Sequence, residues 1–213
     1  MTEESKVRKP SQARSRATVE AILEGASQVL RAEGLEGCGT TKIAKRAGVS
    51  VGTLYQYFPN KEAVFDELID RLLDERAAAR TAIIEATEDT DDVGAAVRSL
   101  MDQLLAVHLA DPELQHQLHR YEAVRGYTRL LKYEEEMQGV VIRALHKHAA
   151  RLRPLPDVPL AARVLVHAMT GVVERMSRED PQRLADPSVR RELAALLAGY
   201  LGPMNPVGML GGE

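Results

Sequence analysis

The chain has 213 residues, with 28 Lys and Arg against 31 Asp and Glu and 45% hydrophobic residues, which fits a globular protein of one large or two small domains. No run of about 18 uncharged apolar residues occurs, and the polar, basic N-terminus lacks an apolar signal core, so the reading is a cytoplasmic protein with no membrane partner. The single cysteine, Cys38, excludes an internal disulfide and a multi-cysteine metal site, while two Phe, no Trp and abundant Ala and Leu favour helices.

The net charge of −3 is unevenly spread. Residues 1–61 carry ten Lys and Arg against six Glu, a net of +4, and the remainder carries 18 against 25, a net of −7. A polyanionic partner would therefore meet the N-terminal part of the chain.

Residues 1–15 hold Lys6, Arg8, Lys9 and Arg14 with little to bury. They read as a disordered basic arm, either reaching phosphates or a minor groove or serving only as a solubilising tail. A first helix is expected from about Arg16 to Ala32, because Val19, Ile22, Leu23, Ala26, Val29 and Leu30 recur on one face, and Gly34 ends it. Cys38 sits between two glycines in a loop; a small loop residue is the simpler reading than a redox-sensing thiol.

Two short helical patterns follow, back to back. The first spans Thr41 to Ala47 with Thr40 as N-cap and Ile43, Ala44 and Ala47 as its apolar face. Gly48 closes it in the left-handed conformation, Val49 is a buried pivot, and Ser50 caps the next helix, Val51 to Tyr57. Leu54 faces inward with Phe58 just beyond, while Val51, Gly52, Thr53, Tyr55, Gln56 and Tyr57 face out. That outward face has no Asp or Glu, as a phosphate-lined groove requires. The pattern is that of a helix-turn-helix.

Pro59 stops the second of these helices and Asn60 caps a fourth, with Val64, Phe65, Leu68, Ile69, Leu72 and Leu73 on one face and a weaker continuation to Ile83 and Ile84. It is long enough to leave the first domain and enter the next. After an acidic loop at 87–92, helices are expected over about Val93–Leu109, Pro112–Tyr121 (with Asp111 as N-cap), Tyr127–Leu152, Pro159–Ser177 and Pro187–Leu201. The stretch from Leu160 to Val173 is almost wholly apolar or small, which predicts a helix buried on most sides. Asp180-Pro181 starts a short turn, and 203–213 reads as a loose tail. No internal repeat and no strand pattern is seen. The expectation is all-α, with nine helices in two domains: a basic head over 16–61 and an acidic body over 62–202.

Residues 16–65 resemble the DNA-binding domain of the tetracycline-repressor (TetR) family of bacterial transcription regulators. The resemblance is carried by Ile22, Ala26, Val29, Gly34, Thr40-Thr41, Ile43-Ala44, Ala47-Gly48-Val49-Ser50, Thr53-Leu54-Tyr55-Gln56-Tyr57-Phe58 and Asn60-Lys61-Glu62. It implies a TetR-like fold, a homodimer on a palindromic double-stranded DNA operator, and a body that binds a small-molecule effector and forms the dimer.

On chemistry, Thr53 and Tyr55 bring hydroxyls for phosphates or base edges, and Gln56 can bond an adenine edge twice. Gly52 allows close approach of the helix N-terminus, and Lys42, Lys61 and Thr41 suit the backbone. The resemblance implies DNA contacts at Thr41, Lys42, Val51, Gly52, Thr53, Tyr55, Gln56, Tyr57 and Lys61; of these, Val51 and Gly52 can read little beyond a thymine methyl. Packing, for Tyr55, and solvated charge, for Lys45 and Arg46, are the alternatives.

The last two helices are the expected dimer surface, through Val164, His167, Gly171, Leu193, Leu196, Leu197 and Tyr200; the alternative is that Pro159–Ser177 is simply the central core helix. Candidates for an effector pocket are Met101, Leu104, His108, Gln117, Tyr121, Tyr127, Met137, Val141, His167 and Met169, most of which also suit an ordinary core. His116 and His119 share a face, but no carboxylate or Cys converges on them, so no metal and no cofactor is expected.

The functional expectation is a ligand-released repressor rather than an enzyme, for want of a nucleophile elbow, a phosphate loop or paired inward carboxylates. An accessory or architectural DNA binder without an effector, and a ligand-responsive activator, remain the alternatives.

Overall fold

The computed structural model describes residues 9–88, 90–126 and 128–202. The first eight residues of the expected arm, the pocket candidate Tyr127 and the expected tail at 203–213 lie outside the described residues. Among the described residues there are ten α-helices and one 3-10 turn, and no strand.

The chain divides into two compact units. The first runs through Leu72 and also includes Gln117–Tyr121; the second comprises Leu73–His116 and the chain from Glu122 on. The first unit thus reaches beyond the head expected at 16–61.

In the first unit, α1 (Lys9–Gly37) begins earlier than expected, so residues 9–15 are helical rather than part of an arm. It is broken at Gly34, where φ is 68°. Ile22, Leu23, Ala26, Val29 and Leu30 are buried, as their spacing requires. α2 (Thr40–Ala47) starts one residue early, with Gly39 rather than Thr40 at the cap position and no side chain closing it. Gly48 adopts φ 69°, ψ 25°, and its N–H bonds back to the Ala44 and Lys45 carbonyls. Any side chain there would be held in the disfavoured left-handed region. α3 (Val51–Tyr57) is capped by Ser50, whose side chain accepts the Thr53 N–H. Val49 is half-buried rather than buried. α4 (Lys61–Glu88) starts where Asn60 Oδ1 accepts the Ala63 N–H at 2.8 Å. Its first part, to Leu72, packs Val64, Phe65, Leu68 and Ile69 with Leu54, Phe58 and Cys38 in the buried set of this unit.

In the second unit, α4 continues from Leu73. α5 (Val93–Ala110), α6 (Pro112–Val124), α7 (Thr128–Lys147), α8 (Val158–Glu179) and α10 (Pro187–Leu201) follow, with α9 (Pro181–Leu184) as a single extra turn of helix where only a turn was expected. α7 ends five residues earlier than expected and gives way to the 3-10 turn Ala149–Arg151. The starts of α5, α6, α8 and α10 repeat one device: an Asp (92, 111, 157, 186) accepts a first-turn N–H. A contiguous core gathers Met101 and Leu105 of α5, Val141 and Leu145 of α7, Leu165, Met169 and Val173 of α8, and Leu193 and Leu197 of α10.

α8 departs from expectation. One face (Ala161, Ala162, Leu165, Val166, Met169, Val173) is buried, but Leu160, Val164 and Val172 on the other are exposed, together with His167 and Gly171. The helix is apolar on two sides and covered on one.

Candidate nucleic-acid interface

The outward surface of α2 and α3 is held by local chemistry. From Gly37 to Lys61 the chain contains no Asp or Glu. Ile43, Ala44 and Leu54 anchor the two helices from below, each at most 1% exposed. Gly25 of α1 lets α2 approach: a Cβ built there would lie 2.9 Å from the Ala47 nitrogen and 3.0 Å from the Ile43 carbonyl oxygen. Sequence reasoning missed this residue, because a close approach between helices leaves no periodic signal.

On the surface, Thr41, Lys42, Val51, Gly52, Tyr55 and Gln56 are exposed, and Thr53, Tyr57 and Lys61 are half-buried. Tyr55 is 52% exposed, and its hydroxyl lies 3.4 Å from Thr40 Oγ1, which ties the start of α2 to the middle of α3. The Thr53 hydroxyl sits 2.8 Å from Ser50 Oγ, within the cap itself. Lys42 Nζ pairs with the Glu33 carboxylate and donates to the Gly37 carbonyl at 3.0 Å. Lys61 Nζ donates to the Cys38 carbonyl at 3.4 Å. Lys45 and Arg46 are exposed on the same helix as Lys42. Cys38 itself is 1% exposed, and burial pushes its thiol up to about 11. It is a protonated packing residue, without the thiolate character of a redox sensor.

The profile of bacterial regulatory proteins of the tetR family matches residues 22–68, and that of the tetracyclin repressor-like C-terminal domain matches residues 92–201. The chain belongs to the TetR family of transcriptional regulators. The nucleoid occlusion factor SlmA of Vibrio campbellii is 29% identical over 160 residues, covering 73% of this chain and 79% of its own. The HTH-type transcriptional regulator EthR of Mycobacterium tuberculosis is 39% identical over 71 residues, 33% of each chain. Among solved structures, NalD, the secondary repressor of the MexAB-OprM multidrug efflux pump in Pseudomonas aeruginosa, superposes with a TM-score of 0.66 at 21% identity, covering 90% of this chain and 98% of its own. That last likeness concerns the fold. The TetR-family chain is thus a DNA-binding regulator, and the helix-turn-helix of α2 and α3 lies inside the matched segment.

The remaining expected site residues of this TetR-family chain fall into several groups. Gln117 and Tyr121 are not body residues. Gln117 Oε1 accepts the Leu35 N–H at 3.2 Å, and the Tyr121 ring meets Phe65 edge-on at 5.3 Å with its hydroxyl 3.2 Å from Asp66 Oδ1. Both are spent on packing the first unit. His167 is exposed on the outer face of α8, 3.4 Å from Gln138 Nε2, and so does not line an interior. Met101, Val141 and Met169 lie in the core of the second unit, with Leu104 partly buried against it, Met137 half-buried and His108 buried. Of the expected dimer residues, Leu193 and Leu197 are corrected: at 5% and 2% exposure they fill the protomer core, because α10 turns that face inward. Val164, Gly171 and Leu196 are exposed and Tyr200 is half-buried. No group of three or more His, Cys, Asp or Glu that could hold a metal occurs among the described residues.

The body also holds a buried polar cluster that the sequence reading passed over. Arg76, 4% exposed, donates from Nη2 to Gln115 Oε1 at 3.2 Å and lies 5.7 Å from the centre of the Tyr133 ring. Gln115 in turn donates to the Val107 carbonyl at 2.5 Å. His108 shares this region: burial, then the Arg76 charge, push its imidazole down to about 4. A signal was present. Arg76 stands four residues beyond Leu72 and eight beyond Leu68, on the register of the buried face of α4.

Proposed function

We propose that this regulator is a repressor that binds a palindromic double-stranded DNA operator as a homodimer in the cytoplasm and is released by a small, largely apolar ligand. α3 enters the major groove and α2 crosses the backbone. Tyr55 and Gln56 reach base edges or phosphates, Thr53 and Tyr57 support them, Val51 and Gly52 allow close approach, and Thr41, Lys42 and Lys61 meet phosphates. The observation that carries the reading is the acid-free surface from Gly37 to Lys61, mounted on a capped and tightly packed pair of helices.

One recognition helix reads too few base pairs to specify a site, and two held a helical turn apart read a palindrome. The uncovered apolar strip of α8 (Leu160, Val164, Val172), with Leu196 of α10, supports a two-fold interface in which two pairs of helices form a four-helix bundle. α4 and α6 each contribute residues to both compact units, so a ligand that favours one packing of the body would act on the head through them. The test is selection of bound duplexes from random DNA, followed by footprinting. Two inverted half-sites with centres about one turn apart, ~34–36 Å, are expected. A single unsymmetrical footprint, or no selected sequence, overturns the reading.

The likeness to a nucleoid occlusion factor over 160 residues favours a second reading, an accessory DNA-binding factor without an effector. Mapping bound sites across the genome separates the two. A repressor occupies a few promoters, and an accessory factor occupies many dispersed sites.

A further inference from the structure

We infer that the effector of this regulator is a neutral molecule with an apolar body and a hydroxyl group, and that the hydroxyl donates its hydrogen bond to Nε2 of His108. The inference rests on the reading of the body as an effector-binding unit. His108 is 6% exposed, and its Nδ1 lies 2.9 Å from the Leu104 carbonyl oxygen. A carbonyl can only accept, so Nδ1 carries the proton. With the imidazole neutral at physiological pH, as its value of about 4 requires, Nε2 is then a bare lone pair. That atom is buried and meets no hydrogen-bond partner among the described residues. An unmet acceptor in a low-dielectric interior is costly, and a ligand donor would recover that cost. The bond is therefore worth most to a molecule that brings a donor and little else that is polar.

The surroundings select for neutrality. The Arg76 charge acts on His108 and disfavours a positively charged ligand. Arg76 is itself coupled to Glu174 and Glu134, and burial holds the Glu174 carboxyl above the ordinary carboxylate range. Arg178 also acts on Glu174, so two cations meet two acidic groups, which leaves no surplus positive charge for an anionic ligand. One helical turn or two back from His108 on α5 stand Leu105, Leu104 and Met101, and Met101 and Leu105 belong to one core with Met169. Methionines are unbranched and repack readily, so this wall can adapt to an apolar body.

The test uses full-length protein and matched probes: octanol, decanol, dodecanol and hexylphenol, their methyl ethers (hexylanisole for the phenol), and octanoate, decanoate and dodecanoate. Binding is read by calorimetry and by the ¹⁵N signal of His108 Nε2. A hydroxylated probe should bind about tenfold more tightly than its ether, the scale of one hydrogen bond, and should shift the Nε2 signal. His108→Leu should erase that preference while leaving ether binding in place, and His108→Gln, which restores an acceptor, should retain it. Equal binding of alcohol and ether, tighter binding of the carboxylates, an unmoved Nε2 signal, or no binding by any probe overturns the inference. Selection of duplex DNA by the same preparations separates the two failures: if ligand preference fails while an operator is still selected, the reading as a DNA-binding repressor stands.

Discussion

Lys42 has a rival for any phosphate. Its Nζ is already paired with Glu33, an exposed acid at the end of α1, so DNA must displace a carboxylate before it gains that cation. Glu33→Gln removes the rival. Operator affinity should rise about fivefold, on the scale of one exposed ion pair, and the dependence on salt should steepen by about one counterion. Titrations of a labelled operator at several salt concentrations check this, and unchanged affinity at low salt would mean Lys42 meets no phosphate. His108 invites a different measurement. Its imidazole titrates near 6.5 when unfolded and at about 4 in the folded chain. Between those values the unfolded chain holds the extra proton. The stability linked to His108 is therefore complete above pH ~6.5 and drains away as pH falls towards ~4, by at most about 3 kcal/mol. His108→Leu should lose less stability than the unsubstituted protein across that window in urea unfolding. Parallel losses in the two proteins would clear His108 of the role.

Among elements, α1 and α2 set the platform, and they meet at Gly25. With a Cβ due only 2.9 Å from the Ala47 backbone, Gly25→Ala must push α2 away. A cost of about 1–3 kcal/mol is expected from such overpacking, with weaker operator binding because α2 carries Thr41 and Lys42. Thermal unfolding and operator titration read both effects, and wild-type stability would mean the helices do not meet there. The same pair of helices shows what the chain discloses in advance. The Gly48 turn, the Ser50 cap and the span Val51–Tyr57 follow from local backbone rules and were legible, as was the Asp111 cap of α6. Gly25 was not, because contact between helices is a tertiary fact. Periodicity put Leu193, Leu196 and Leu197 on one helix but could not say which side met the core; the structure buries the first and third and exposes Leu196. α6 was read as a body helix, yet Gln117 and Tyr121 pack against Leu35 and Phe65, since a continuous helix carries no mark of where its neighbours change. Arg76 did leave a trace, a charge on an apolar register, and its cluster in the body follows from that one misfit.

For the whole molecule, the decisive question is what covers the outer strip of α8. Leu160, Val164 and Val172 project 55%, 44% and 37% of their surface into solvent, and Leu196 of α10 projects 53%. A second copy laid across it brings like residues together around a two-fold axis, and Gly171, with nothing within 4 Å of a Cβ placed there, leaves room for a close approach. Val164→Glu places a charge in the middle of the strip and its symmetry mate opposite, which a buried interface cannot accommodate without a large desolvation cost. The side chain points away from the protomer core, so folding should be untouched and the melting of secondary structure should remain cooperative. The variant should sediment as a monomer. Because each head then binds alone, operator affinity should fall by on the order of a hundredfold or more, the scale on which joining two binding events exceeds either one. Binding to random duplex at low salt should change far less, since it draws on the phosphate contacts of each head separately. A Val164→Glu protein that still sediments as a dimer and still holds the operator would move the interface elsewhere, and would leave the apolar strip of α8 to a different partner.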